Sequence, residues 1–224
     1  RFVHVKHGLY LSPSGKKFST RRGDTVHLED VLEEAVKRAS GIIKEKPVKG
    51  DKLTAVERES VIRSVGVGAI KYYDLSHHPS TNIIFDWDTL FALEGDSGPY
   101  LQYTYARTQS VLGKAEMGGV GELGACLPAG RGVGGVNPEE KALLRTFYKF
   151  PEVVGEAAQN FAPNLLCTFL YDFATKYNRL YNTHRILEAE SEGAKTLRLT
   201  LTKVTGNILK KGLNLLGIEA PEKM

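Results

Sequence analysis

AKTLRLTLTKVTGNILKKGLNLL, residues 194–216, decides the fold of the second half of this chain. Leu197, Leu201, Val204, Ile208, Leu209, Leu213 and Leu216 recur at three- and four-residue spacing. That spacing puts them on one side of a helix. A helix with a single apolar stripe must bury it against other elements. The preceding segments supply them: 138–149, 151–160 and 163–182 also read as helices, and Pro138, Pro151 and Pro163 each suit a helix start. There the missing N–H of proline leaves no bond unmade. The pattern predicts an α-helical bundle.

Working outward toward the N-terminus, Ser97 to Ala115 reads as a further helix, with Ser97 as N-cap and Pro99 in the first turn. Gly113 to Gly135 holds nine glycines and is expected to be a mobile loop or insertion. Thr54 to Tyr72 reads as a helix with Val56, Ile62, Val65 and Val67 as its apolar residues. Gly66 and Gly68 lie inside it. A helical glycine costs roughly 1 kcal/mol against alanine, so the pair implies close approach of another backbone. Leu28, Val31, Leu32, Ala35, Val36 and Ala39 mark one more helix face, and Lys44 to Lys52 a charged linker. Ile83-Ile84-Phe85 reads as a short strand, with Asp86 or Asp88 capping a following turn. Residues 1–11 are expected to form a short hairpin, followed by a turn at Ser12-Pro13-Ser14-Gly15. The fold class is therefore mainly α: a small α+β piece, then a helical bundle.

Composition narrows the function. The 224 residues are 42% apolar and 25% charged, which excludes wholesale disorder. No apolar run approaches the ~18 residues of a membrane span, and Arg1 to His7 lack the apolar core of a signal peptide. A chain that starts on Arg1 rather than Met is expected to be processed or part of a longer one. Cys126 and Cys167 make neither a disulfide framework nor a metal motif, so a reduced cytoplasmic protein without a metal centre is expected. Charge is uneven: residues 1–52 carry net +5, residues 53–175 net −5 and residues 176–224 net +4. Basic ends around an acidic middle suit an anionic partner held at two places. Ordinary surface charge accounts for the same numbers.

Two motifs carry chemistry. The first is the loop Gly15-Lys16-Lys17-Phe18-Ser19-Thr20-Arg21, whose cations and hydroxyls suit a phosphate. A solvated basic turn has the same composition. The second is Tyr100, Tyr103 and Arg107, at i, i+3 and i+7 and so on one helix face. Two tyrosines and an arginine can stack on unpaired bases and hold a phosphate, or they can pack inside the bundle. Gly119-Val120-Gly121-Glu122-Leu123-Gly124 is a formal G-x-G-x-x-G, but it follows a helix and runs into more glycine, which is the wrong context for a dinucleotide turn. His77-His78 reads as a surface pair.

At these residues a family resemblance enters. Val65-Gly66-Val67-Gly68-Ala69-Ile70-Lys71-Tyr72, Asp74-Leu75-Ser76, Phe85-Asp86-Trp87-Asp88 and Gly98-Pro99-Tyr100-Leu101-Gln102-Tyr103 resemble arginyl-tRNA synthetase. So does the tail, Gly212 to Ile218 and Pro221-Glu222-Lys223-Met224. The resemblance covers essentially the whole chain in order, with 113–135 departing most. It implies a class I arginine–tRNA ligase that uses ATP with Mg2+, L-arginine and an arginine-accepting tRNA. Residues 1–94 would end the catalytic domain and residues 95–224 form the helical anticodon-binding domain.

The basic loop then aligns with the Lys-Met-Ser-Lys-Ser signature as Lys17 to Arg21, with Thr20 at the usual second lysine. The resemblance implies Lys17, Ser19 and Arg21 as catalytic residues and Lys16 and Lys17 as ATP contacts. It implies Tyr100, Tyr103, Arg107, Tyr181 and Met224 as tRNA contacts. The first signature, His-x-Gly-His, occurs nowhere in the 224 residues, so this chain alone is expected not to form arginyl-adenylate. The alternatives are a stand-alone RNA-binding module without chemistry, or a helical interaction scaffold whose basic ends are incidental.

Overall fold

The computed structural model describes residues 2–17, 27–45, 53–117 and 136–224. Eight helices and two short strands form within them. Strand β1 (Tyr10–Leu11) is followed by α1 (Leu28–Glu45), α2 (Ala55–Ser76), β2 (Ile83–Ile84) and the single turn α3 (Trp87–Leu90). The bundle follows as α4 (Gly98–Met117), α5 (Pro138–Phe147), α6 (Lys149–Asn160), α7 (Pro163–Thr183) and α8 (Glu192–Leu215).

Local chemistry fixes most helix starts. Thr54 and Glu57 form a reciprocal capping box at α2, in which the Thr54 hydroxyl accepts from Glu57 N–H and the Glu57 carboxylate accepts from Thr54 N–H. Asp86 caps α3 through Asp88 N–H, and Ser191 caps α8 through Ala194 N–H. The Ser97 hydroxyl accepts from Tyr100 N–H at 3.2 Å, as expected of an N-cap, and Pro99 follows in the first turn of α4. Pro138 and Pro163 open α5 and α7. Phe161, in the left-handed region at φ 53°, ends α6 and turns the chain into α7.

Three expectations change. Among the described residues, 2–11 form no hairpin. β1 pairs instead in parallel with β2, Tyr10 opposite Ile83 and Leu11 opposite Ile84, across a connection that contains α1 and α2. Asn82 Oδ1 accepts from Leu9 N–H at 2.9 Å, and Gly8 N–H reaches Pro79 O at 2.7 Å, so residues 8–11 are held from the far side of α2. The turn at Ser12–Gly15 does form, closed by Gly15 N–H on Ser12 O, and brings Lys17 back beside Leu11. The second change is at Gly113, where the expected helix to Ala115 and the expected loop from Gly113 overlap: the helix takes it, and α4 runs on to Met117. Burial of Val111 and Ala115 against Ile186 and Leu199 outweighs one glycine's propensity cost. The third is α2, which continues past Tyr72 to Ser76. The rest of the glycine-rich segment, residues 118–135, with its G-x-G-x-x-G, lies outside the described residues.

The bundle is organised around α7, which packs on α2, α4, α5, α6 and α8. Leu170, Phe173, Ala174, Tyr177 and Leu180 of α7 are fully buried against Leu201, Leu209 and Leu213 of the α8 stripe. A second core joins Ala35 and Ala39 of α1 to Val61, Val65 and Ala69 of α2. The close approach expected at Gly66 is present: a Cβ there would lie 2.9 Å from the backbone of Val36.

The two cores interlock. Tyr72 of α2 belongs to the bundle core, while Ala106 of α4 and Met224 belong to the α1–α2 core. The C-terminal tail crosses α2 and α4, where Lys71 Nζ donates to Gly217 O at 2.6 Å and Gln102 Nε2 donates to Glu219 O at 2.7 Å.

Candidate functional site

Tyr100, Tyr103 and Arg107 share one face of α4, as their spacing predicts, and that face opens onto α7. The Arg107 guanidinium lies between two rings, 4.9 Å from the centre of Tyr103 and 4.7 Å from that of Tyr181. Cation–π contacts of this kind contribute about 0.5–2 kcal/mol each, depending on desolvation. Arg107 Nη1 also donates to Asn178 Oδ1 at 2.5 Å. The Asn178 amide donates to the Tyr100 hydroxyl and to Thr104 Oγ1, both at 2.9 Å. One nearly buried asparagine therefore sets the positions of both Tyr100 and Arg107.

Tyr100, Tyr103, Arg107 and Asn178 line a cleft of about 380 Å³ between α4 and α7. Tyr171, Thr175 and Asn182 come from α7, and Leu93, Glu94 and Gly95 close one end. The Tyr100 ring leans on Tyr171 with centroids 5.7 Å apart. Tyr100, Tyr103 and Arg107 are half-buried and Tyr181 is 38% exposed. This separates them from Tyr105 and Tyr177, which are core residues at 2% and 0% exposure. A guanidinium has five N–H donors and Asn178 takes one, so Arg107 keeps donors for a ligand.

The wall at Leu93–Gly95 is anchored from below. Tyr72, fully buried, donates its hydroxyl to Asp96 Oδ1 at 2.5 Å and lies 3.1 Å from the Cys167 carbonyl oxygen. Burial, with the neighbouring Asp96 carboxylate adding, pushes the Tyr72 phenol far above its usual range and keeps it a neutral donor. Burial likewise pushes the Cys167 thiol up to about 12, so it is an inert core residue.

Among the other sequence-predicted residues, Lys16 and Lys17 are exposed on the return arm of the Ser12–Gly15 turn. Ser19, Thr20 and Arg21 lie outside the described residues. Met224 is not brought into the cleft: it is 3% exposed and packs in the α1–α2 core. Asn178 was not singled out from sequence. The signal was present, because Tyr171, Thr175, Asn178 and Asn182 recur at helical spacing on a segment otherwise read only for its apolar face. No cluster of His, Cys, Asp and Glu suited to a metal occurs among the described residues, and no helix there is long and apolar enough to cross a membrane.

Comparison with known proteins finds two matching segments. Residues 101–224 match the DALR anticodon binding domain, and residues 1–87 match the catalytic domain of class I tRNA synthetases (R). The arginine–tRNA ligase of Yersinia pseudotuberculosis is 41% identical over 221 residues, which is 99% of this chain and 37% of that protein. That of Haemophilus influenzae is 38% identical over the same shares. The Thermus thermophilus arginyl-tRNA synthetase superposes with a TM-score of 0.79 at 33% identity, covering 97% of this chain and 35% of the other. The chain thus spans little more than a third of the relatives it matches. These matches do not favour a stand-alone module. With the two matched segments in the same order as the resemblance implied, the chain belongs to the arginyl-tRNA synthetase family and corresponds to its C-terminal portion.

Proposed function

We propose that this chain is the tRNA-reading and signature-loop part of an arginine–tRNA ligase, in which the α4–α7 cleft binds unpaired anticodon bases. The observation that carries this reading is Arg107 held between Tyr103 and Tyr181 with its remaining donors free for a ligand. Unpaired bases are recognised by aromatic and guanidinium faces together with hydrogen-bond donors at their edges. Tyr100 and Tyr103 offer ring faces, and Asn182 and Glu94 offer polar groups along the same cleft. Residues 1–94 form the end of the catalytic domain and residues 95–224 the anticodon-binding domain.

In the whole enzyme Lys16 and Lys17 meet the phosphates of ATP, bound with Mg2+ as substrate. Ser19 and Arg21 complete the signature loop. Lysine supplies a mobile point charge where phosphate charge develops, and arginine a bidentate contact. The products are arginyl-tRNA, AMP and pyrophosphate, formed in the cytoplasm from L-arginine and tRNA. The 224-residue chain alone carries out no arginine-dependent ATP–pyrophosphate exchange, since it contains no His-x-Gly-His. Met224 contributes to tRNA binding by supporting α4 from its other side rather than by touching RNA.

Filter binding of an arginine-accepting tRNA tests the cleft. A stacking tyrosine contributes about 1–3 kcal/mol per base, so Tyr100→Ala or Tyr103→Ala weakens binding about 5- to 150-fold while melting stays cooperative. Normal tRNA binding by the folded fraction of both variants overturns the assignment.

A further inference from the structure

Tyr181 stands between two cavities. Arg107 of the anticodon cleft lies over its ring, and Tyr181 itself lines a second cavity of about 500 Å³, formed by the ends of α4 and α7 and the turn at residues 184–188. Asn182 lines both. A strand leaving the first cavity past Tyr181 therefore enters the second directly.

The second cavity has the chemistry of a nucleotide site. Val111 and Ile186 form an apolar floor, both buried in a small core with Ala115 and Leu199. Around it stand Lys114, His184 and Arg185, against a single acid, Glu188. Lys114 lies seven residues beyond Arg107 on α4, hence on the same face, and makes no ion pair among the described residues. His184 faces Glu139 of α5 at 3.2 Å, and Arg185 pairs with the exposed Glu188. The volume falls within the ~300–1,000 Å³ typical of small-ligand sites.

The turn that carries His184 and Arg185 is tied to α8. Arg198 of α8, 1% exposed, donates through Nη1 to the Arg185 carbonyl at 2.9 Å. It also bonds Glu190 through both terminal nitrogens and Glu140 of α5 through Nε. A buried guanidinium thus fixes the backbone at Arg185 before any ligand arrives.

We propose that this cavity is a second RNA subsite, which takes the nucleotide flanking the bases held at Tyr100 and Tyr103. Its base packs on Val111 and Ile186, and its phosphate is met by Lys114 and Arg185. The proposal rests on the reading of the α4–α7 cleft as the anticodon site. It extends the bound strand beyond that cleft and makes the strand's exit at Tyr181 part of recognition.

The test is binding of the 224-residue chain to the anticodon stem-loop of an arginine-accepting tRNA and to the anticodon trinucleotide alone, across a salt series. The variants are Lys114→Ala, Arg185→Ala, their double, and Arg107→Ala. Both new positions are exposed, so melting temperatures match the parent. The double variant is expected to weaken stem-loop binding about tenfold. Its salt slope falls by about 1 to 1.5, at ≈ 0.7 per lost single-strand contact. Trinucleotide binding changes less than about twofold. Equal weakening of both probes means diffuse electrostatics and overturns the subsite. Full stem-loop affinity in the double variant, with Arg107→Ala impaired, overturns the subsite and leaves the cleft standing. Full affinity in all variants removes the cleft reading and the subsite together.

Discussion

The guanidinium of Arg107 on α4 lies 4.7 Å from the ring centre of Tyr181 on α7, and the same group is covered on its other contact by Tyr103. A guanidinium that lies over two rings and donates to Asn178 is poorly replaced by lysine, which lacks a planar, multiply donating cation.

Arg107→Lys therefore keeps the charge yet loses most of the tRNA affinity. A bond from a charged donor is worth about 1.5–3 kcal/mol, so the loss should be about 10- to 150-fold. The salt slope changes little, because the cation remains. Binding isotherms at two salt concentrations check both parts. Wild-type affinity in Arg107→Lys would mean that only charge matters.

Tyr72→Phe removes the donor that anchors Asp96 and leaves the wall of the cleft unsupported. The expected destabilisation is about 1.5–3 kcal/mol in urea unfolding, from a lost bond to a carboxylate. The folded variant should also bind tRNA more weakly, since Leu93–Gly95 line the cleft. Destabilisation without any change in tRNA affinity would show that the wall holds its place without Tyr72.

Arg198→Met leaves Glu140 buried without its cation; the two side chains are 2% and 3% exposed. Breaking a buried pair on one side costs about 3–5 kcal/mol. A melting temperature within a degree or two of the parent would show that Glu140 does not depend on Arg198 for its place in the core.

Acid should loosen the α7–α8 connection. The bond with His184, with Arg179 and the His184 charge adding, holds the Glu139 carboxyl below its ordinary 4.5. The bond from Arg198 does the same for Glu190. Both folded-state values are depressed, so both contributions are present above about pH 4.5 and fade as pH falls through the lowered values. Thermal melts between pH 7 and 3 should decline at the acid end, and Glu190→Gln should decline less. Equal acid slopes in parent and variant would locate the loss elsewhere.

Two glycines give opposite signs. Gly66→Ala drives a methyl to 2.9 Å from the Val36 backbone and should cost about 1–3 kcal/mol. Gly113→Ala, with nothing within 4 Å of the new methyl inside α4, should stabilise by about 0.5–1 kcal/mol. Chemical denaturation of the two variants separates packing from propensity.

The contrast at these glycines also explains what could be read from the sequence. Long amphipathic helices with proline or hydroxyl starts were legible, because period and caps are local; α7 and α8 lie within two residues of the expected 163–182 and 194–216. The β1–β2 pair was not: two-residue strands have no period, and Tyr10 meets Ile83 only after two helices intervene. At the cleft, Tyr100, Tyr103 and Arg107 were legible as one helix face. Asn178 was not, because its role depends on which face of α7 meets α4, a matter of packing between segments distant in sequence.

Tyr72 in the bundle core and Met224 in the α1–α2 core act as a mutual dovetail. A hinge between the two matched segments could open only by drawing a fully buried tyrosine out of one core and a methionine out of the other. The described parts of the two matched segments are therefore joined through shared cores rather than through a linker alone. An anticodon bundle transplanted between relatives would have to bring α2 with it to remain folded.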